Sequence, residues 1–171
     1  MTILNHLGIE GSLRYQIICE AKKIGSDIGF FCQKENAFVE GTGDIVQPIK
    51  INRNLYILLV NPKILISTTH VYHNYNSRNI SSKISCNPKI IIDHILYGKN
   101  DLEYYVRSNN YKIQLLINFL SKQKNALVTR MSGSGSTCFA LFEEYQDLEI
   151  ASVNVIQEYP NYWIHKDILQ L

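Results

Sequence analysis

Apolar residues recur every three or four positions in several stretches of the chain, and this spacing predicts amphipathic helices. The first helix is predicted from Ser12 to Ile24, with Ser12 as its N-cap and Gly25 as its C-cap. Another is predicted over 88–97, where a proline stands at the permitted first turn. A last helix is expected after Asp147, which we interpret as its N-cap.

The longest apolar stripe predicts a single helix that begins near Asn100 and Asp101. The segment Asn100–Glu103 is typical of a helix start, and locally that explains it in full. The stripe along this helix consists of Leu102, Val106, Ile113, Leu116, Ile117 and Leu120.

Short apolar runs that end at turn residues predict strands. A hairpin is expected from Ala37–Glu40 and Ile45–Ile49, joined by a turn at 41–44. Leu55–Val60 is the clearest buried strand, and Asn61-Pro62 ends it. Residues 74–87 are rich in Asn and Ser and predict a loop, and three further strands are predicted at Leu127–Met131, Thr137–Phe142 and Tyr162–His165.

The order of elements in residues 51–171 is strand, helices, strand, strand, helix, strand, which is the split βαβ, ferredoxin-like pattern of an α+β domain. Residues 1–50 lie outside this pattern and contain one helix, one turn and one hairpin. That is too little to bury their own apolar face. We therefore expect residues 1–50 to be the remnant of another domain, an N-terminal α/β domain.

Composition narrows the class of protein without identifying it. The 171 residues are 46% hydrophobic and 19% charged, with a net charge of +2, which is typical of a globular domain. This balance argues against a basic nucleic-acid-binding arm or an acidic tail. We expect a cytoplasmic protein, because the chain contains neither a signal peptide nor an apolar run of membrane-spanning length.

The four cysteines are far apart in sequence and are interpreted as buried thiols. No C-x-x-C pair is present, so the spacing fits neither a zinc site nor a disulfide framework. They are Cys19, Cys32, Cys86 and Cys138.

Three local features are candidates for chemistry, and each also has a structural explanation. Ser132-Gly133-Ser134-Gly135-Ser136 could hold an anion on converging backbone N–H groups, or could be a flexible hairpin turn. Asp27, beside apolar Ile28 and Phe30, could be a partly desolvated general base, or a turn aspartate that caps the next segment. His70-x-x-His73 has a spacing that could bind a metal, but it lacks a nearby carboxylate, and we assign no metal ligand.

The order of these features resembles the C-terminal part of the 4-diphosphocytidyl-2-C-methyl-D-erythritol kinase family. The resemblance covers nearly the whole chain, and its most specific element is the serine- and glycine-rich loop with the strand that follows it. The closing Tyr162-Trp163 is similar to the family's aromatic end. The matching stretches are GSDIGFF at 25–31, FVEGTGD at 38–44, VNP at 60–62 with IST at 66–68, NDLE at 100–103 and RMSGSGSTCFALF at 130–142.

This resemblance implies a small-molecule kinase related to galactokinase, homoserine kinase and mevalonate kinase. Such an enzyme transfers the γ-phosphate of ATP, with Mg²⁺, to the 2-hydroxyl of 4-diphosphocytidyl-2-C-methyl-D-erythritol in non-mevalonate isoprenoid synthesis. By the match of Gly-Ser-Asp, Asp27 would be the catalytic aspartate. The loop from Ser132 to Ser136 would close over the phosphates, since phosphoryl transfer depends on positioning and charge stabilisation.

Two departures from the family set a further expectation. Gly29 stands where the family usually has proline, so the backbone after Asp27 is less fixed. The family's Gly-rich ATP loop and its partner lysine are not found in these 171 residues, and we expect the chain alone to be inactive and marginally stable or self-associating. It would work with an N-terminal half encoded upstream or separately; otherwise it is a non-catalytic relic or a ferredoxin-like binding module.

Overall fold

The structure is a computed structural model that describes residues 8, 11–22, 25, 36–40, 45–49, 51–75 and 88–171. The chain forms two compact units, residues 1–51 and residues 52–171. The predicted turn at 41–44, most of the predicted loop at 74–87 and Asp27 lie outside the described residues.

The described residues of the first unit form one helix and one pair of strands, in agreement with the predicted helix and hairpin. Helix α1 spans Gly11–Lys22, so Ser12 lies inside the helix and is not its N-cap. Strands β1 (Ala37–Glu40) and β2 (Ile45–Pro48) pair antiparallel over their whole length. The N–H of Ile49 continues the pairing, since it donates to the carbonyl of Asn36 at 2.7 Å.

The second unit is built on a four-stranded antiparallel sheet with the strand order β4-β5-β3-β6. This order is that of the ferredoxin-like split βαβ pattern, so the predicted α+β class is confirmed. The elements, in chain order, are β3 (Asn54–Asn61), α2 (Thr68–His73), α3 (Pro88–Tyr97), α4 (Glu103–Asn109), α5 (Tyr111–Ser121), β4 (Val128–Met131), β5 (Cys138–Phe142), α6 (Tyr145–Glu158) and β6 (Trp163–Gln170).

The main core lies on the sheet face that is covered by α4, α5 and α6. Alternation along β3 directs Leu58 and Val60 into this core, while Leu55 faces the opposite side. On that opposite side, Ile95 and Leu96 of α3 pack against a smaller cluster. The fully buried side chains of the main core include Leu58, Val60, Ile113, Leu116, Leu120, Cys138, Phe142 and Val155.

The single helix predicted from residue 100 is two helices, α4 and α5. The backbone of Asn110 is extended, and its side-chain oxygen accepts a hydrogen bond from the N–H of Ile113, which caps α5. All six residues of the predicted stripe are nevertheless buried. The apolar spacing continued across the break, so it could not reveal that the backbone changes direction there.

Two other predicted boundaries are corrected, and one helix is added. Glu144 is the N-cap of α6, and Asp147 lies in the first turn, where its carboxylate accepts a hydrogen bond from Asn125 at 2.9 Å. The short helix α2, capped by Ser67, was not predicted. The last strand continues past His165 to Gln170, through a segment that is mostly exposed.

No helix in the described part of the chain has the length and apolarity needed to cross a membrane.

Candidate functional site

The serine-glycine loop, Ser132–Ser136, connects β4 to β5 and has a defined backbone conformation. The N–H of Ser132 donates to the carbonyl of Thr137 at 2.8 Å, and the N–H of Gly135 donates to the carbonyl of Ser132 at 3.0 Å. Gly133 and Gly135 have φ angles of 53° and 90°, a region that side chains other than glycine rarely adopt. The glycines therefore allow a tight turn that most other residues would strain.

Three backbone donors of the serine-glycine loop are open. Among the described residues, the N–H groups of Gly133, Ser134 and Ser136 have no hydrogen-bond partner. Successive free N–H groups beside a residue of positive φ form a concave donor surface that suits an anion. Gly133 is exposed and Ser134 is half-buried, so an anion can reach their N–H groups from solvent, whereas Ser136 is buried. This geometry is compatible with an anion site, and the assignment of such a site to Ser132–Ser136 stays a prediction.

The underside of the serine-glycine loop is fixed to the segment that follows β3. The hydroxyl of Ser136 is buried and donates to the carbonyl of Ile64 at 2.7 Å. A Cβ atom at Gly135 would lie 2.8 Å from Sδ of Met131 and 3.2 Å from Cδ1 of Ile66. The loop is therefore held closely on this side.

Two side chains, one just before α4 and one at its first residue, hold the other side of the loop. The amide nitrogen of Asn100 donates to the carbonyls of Met131 and Gly133, both at 2.8 Å. Oε2 of Glu103 accepts the N–H of Met131 at 2.8 Å, while Oε1 is bound by Arg107 at 3.1 Å. Asn100 and Glu103 are therefore positioning residues for the serine-glycine loop as well as the start of a helix.

The rim of the site is polar and comes from α2 and α4. The hydroxyls of Thr68 and Ser134 are 2.9 Å apart, and the phenol of Tyr105 is 2.9 Å from Nε2 of His70. The described residues contain no group of three His, Cys, Asp or Glu side chains that could hold a metal ion. The donor set of this site fits a phosphate or another anion.

Asn100→Asp is expected to lower the free energy of unfolding by about 2 kcal/mol, because two carbonyls lose their donor and face a carboxylate. The variant keeps the side-chain oxygen that accepts the N–H of Leu102, so the helix start is retained. Urea unfolding measures the effect. Asn161→Asp is the control, since it makes the same charge change on an exposed turn. Equal stability of both variants would contradict the clamp.

Behind the serine-glycine loop, Cys138 begins β5 and is fully buried. Burial raises the pKa of its thiol to about 12, with the nearby Glu103 acting in the same direction. The prediction that Cys138 is a buried thiol is therefore confirmed. The structure does not describe the side chains of the other three cysteines, so their burial stays a prediction. They are Cys19, Cys32 and Cys86.

Cys138 is expected to resist alkylation by iodoacetamide in the native protein. At about pH 8, a thiol with a pKa of about 12 is about one ten-thousandth ionised, against about one quarter for an ordinary thiol. The thiol also stays protonated to a higher pH in the folded state than in the unfolded state. The free energy of unfolding is therefore expected to fall as the pH rises from about 9 towards 12. Peptide mass spectrometry measures the modification, and concentrated guanidinium chloride is the positive control. Rapid modification without denaturant would contradict the burial.

From the sequence we predicted the serine-glycine loop as a candidate site, but we interpreted Asn100 and Glu103 only as a helix start. Their contacts reach 28 to 33 residues along the chain, so no local pattern showed them. Asp27, the expected catalytic residue, lies outside the described residues, and its role stays a prediction.

Comparisons with known proteins agree on one family. Residues 92–161 match the family model described as GHMP kinases C terminal. A 4-diphosphocytidyl-2-C-methyl-D-erythritol kinase of Ehrlichia chaffeensis is 32% identical over 169 residues, which is 95% of this chain and 60% of the relative. The kinase of the same name from Anaplasma phagocytophilum is 29% identical over 150 residues, 85% of this chain and 51% of the relative.

The fold has a solved counterpart. A crystal structure of a 4-(cytidine 5'-diphospho)-2C-methyl-D-erythritol kinase matches 88% of this chain and 56% of its own chain, with a TM-score of 0.72 and 19% identity. The chain spans about half the length of the curated relatives it matches.

Proposed function

We propose that this chain contributes to ATP-dependent phosphorylation of 4-diphosphocytidyl-2-C-methyl-D-erythritol, because it contains the C-terminal domain of the GHMP kinases. Over most of its length, the chain is also related to the kinases that are named after this substrate. The observation that carries the proposal is the serine-glycine loop, in which three N–H groups have no partner among the described residues. The loop is held by Asn100 on one side and through the Ser136 hydroxyl on the other. We place the reaction in the cytoplasm.

The proposed role of the loop is to bind phosphate oxygens of ATP. The N–H groups of Gly133, Ser134 and Ser136 would donate to these oxygens and stabilise the charge that develops during transfer. The loop supplies donors and no carboxylates, so Mg²⁺ would be held by the phosphates and by residues elsewhere. When bound with ATP, Mg²⁺ would neutralise phosphate charge.

Asp27 is proposed as the group that orients the substrate hydroxyl and takes its proton. The hydroxyl oxygen forms the new bond to the γ-phosphorus, the bond from phosphorus to the bridging oxygen breaks, and ADP leaves. The Gly-Ser-Asp match to the family supports this role.

The rest of the active site is proposed to come from an N-terminal kinase half, encoded upstream or separately. Residues 1–50 would complete that half, and residues 51–171 would form the C-terminal domain. The chain spans about half of its relatives, and the Gly-rich ATP loop and the lysine expected for the family are not among its 171 residues.

A chimeric kinase tests the proposal. The N-terminal part of the Ehrlichia chaffeensis relative, up to the start of the aligned region, is joined to residues 1–171. The chimera is expected to release ADP in the presence of ATP, Mg²⁺ and 4-diphosphocytidyl-2-C-methyl-D-erythritol, and residues 1–171 alone are not. The chimera without this substrate is the control for ATP hydrolysis.

A folded chimera that binds ATP and releases no ADP would overturn the catalytic proposal. Binding of the cytidyl substrate by such a chimera, measured by calorimetry, would then indicate the ferredoxin-like binding module. Absence of binding would indicate the non-catalytic relic.

A further inference from the structure

A second concave site lies at the outer edge of the sheet, beside β4. It is an open cavity of about 560 Å³, here called the edge groove. Its walls come from the segment between α3 and α4, from α4 and α5, and from β4. The polar side chains used below are Lys99, Glu103, Tyr104, Arg107, Thr129 and Arg130, all of which line it.

The edge groove has an excess of positive charge. Lys99, Arg107 and Arg130 face a single carboxylate, that of Glu103. Both oxygens of this carboxylate are already engaged, one by Arg107 and the other by the N–H of Met131. Lys99 and Arg130 are therefore not neutralised by an acidic partner at ion-pair distance within the part of the chain that the structure describes.

The cations are arranged so that one is rigid and another is adaptable. Nη2 of Arg130 donates to the carbonyls of Ile95 and Leu96 at 2.9 and 3.0 Å, and this fixes the guanidinium plane. Burial lowers the pKa of Arg130 by more than the nearby Glu103 carboxylate raises it, which marks a partly desolvated cation that gains from a bound anion. Lys99 is exposed, and its flexible side chain can close on a charge from the groove entrance.

The remaining lining suits the organic part of a ligand. Tyr104 is 72% exposed, so its ring offers a flat apolar surface with a polar tip. The hydroxyl of Thr129 is a further hydrogen-bonding group on β4. A volume of about 560 Å³ lies within the range of small-molecule sites and exceeds what an inorganic anion fills.

From these observations we propose that the edge groove binds a small organic phosphomonoester, a sugar phosphate or a nucleotide. The phosphate lies between Lys99 and Arg130, and the organic part lies along Tyr104.

This site is separate from the three open N–H groups of the serine-glycine loop. The two are joined through Asn100 and Glu103, which line the groove and also clamp the loop. A ligand that breaks the ion pair between Arg107 and Glu103 therefore changes how the Glu103 carboxylate holds the loop.

Binding to residues 1–171 tests the proposal by titration followed with amide chemical shifts. The probes are ribose 5-phosphate and adenosine 5′-monophosphate, with ribose and adenosine as the controls without phosphate. Both phosphorylated probes are expected to shift the amides of Lys99, Arg107 and Ser108. Tighter binding of adenosine monophosphate identifies a nucleotide site, and equal binding identifies a sugar phosphate site.

Lys99→Gln is expected to weaken binding of the phosphorylated probes about fivefold, since one charged donor is lost. Lys122→Gln makes the same charge change on an exposed residue outside the groove lining and is expected to bind as the parent chain does. Equal affinities of the two variants would overturn the proposal, and so would shifts confined to 132–136 or equal binding of ribose and ribose 5-phosphate. None of these outcomes depends on turnover by the chimeric kinase.

Discussion

In the chimeric kinase, Asp27→Asn is expected to lower kcat by about 10² to 10⁴-fold, the usual range for a general acid or base. The amide keeps the size of the carboxylate and can still accept a hydrogen bond, but it cannot take the proton of the substrate hydroxyl. KM for the cytidyl substrate is expected to change little, because the lost interaction belongs to the transition state. Initial rates of ADP release at varied substrate concentration measure both constants.

Asp93→Asn is the matched control for this prediction. It removes one negative charge from an exposed position on α3, outside the proposed machinery, so kcat of the chimera is expected to stay within about twofold. Retention of most of the activity by the Asp27 variant would remove Asp27 from the reaction. The family resemblance would then stand without its catalytic residue at this position.

Gly135→Ala is expected to lower the free energy of unfolding by about 3 kcal/mol. A φ of 90° is unfavourable for alanine by about 1 to 2 kcal/mol. The new methyl group would also lie 2.8 Å from Sδ of Met131, which is buried and cannot move without cost. The same displacement would turn the open N–H donors away from the phosphates, so the chimera is expected to lose activity as well.

Gly133→Ala separates the two causes. Its φ of 53° is also positive, yet a Cβ atom there meets nothing within 4 Å. Backbone strain alone then lowers the stability by about 1 kcal/mol. Urea unfolding of both variants gives the comparison, and a Gly135 variant no less stable than the Gly133 variant would mean that the loop can shift freely over Met131.

The fold of the second unit could be predicted because its signals are local. Leu55–Val60 is a continuous apolar run, and the stripe from Leu102 to Leu120 keeps helical spacing through both α4 and α5. The break at Asn110 depends on a hydrogen bond from the N–H of Ile113 to the Asn110 side chain, and the spacing of apolar residues does not indicate it. Strand β6 was predicted too short because most of its side chains are exposed, so the alternation that marks a half-buried strand is weak.

The candidate site could be predicted only in part, for a similar reason. Ser132–Ser136 has a composition that indicates a tight turn or an anion site wherever it occurs. The direction of its donors depends on Asn100, Glu103 and Ile64, which reach it from distant parts of the chain. The edge groove combines residues of two helices and a strand, so its charge excess becomes visible only in the folded unit.

The place of β6 in the sheet also sets when this unit can fold during translation. Strand β3 is central, and its partners are β5 on one side and β6, residues 163–170, on the other. Asn54 pairs with Gln170, so more than 100 further residues must be synthesised before the edge of β3 that faces β6 is covered. Such distant pairing slows folding and leaves strand edges open meanwhile. During synthesis on the ribosome, one edge of β3 therefore stays unpaired until β6 has emerged.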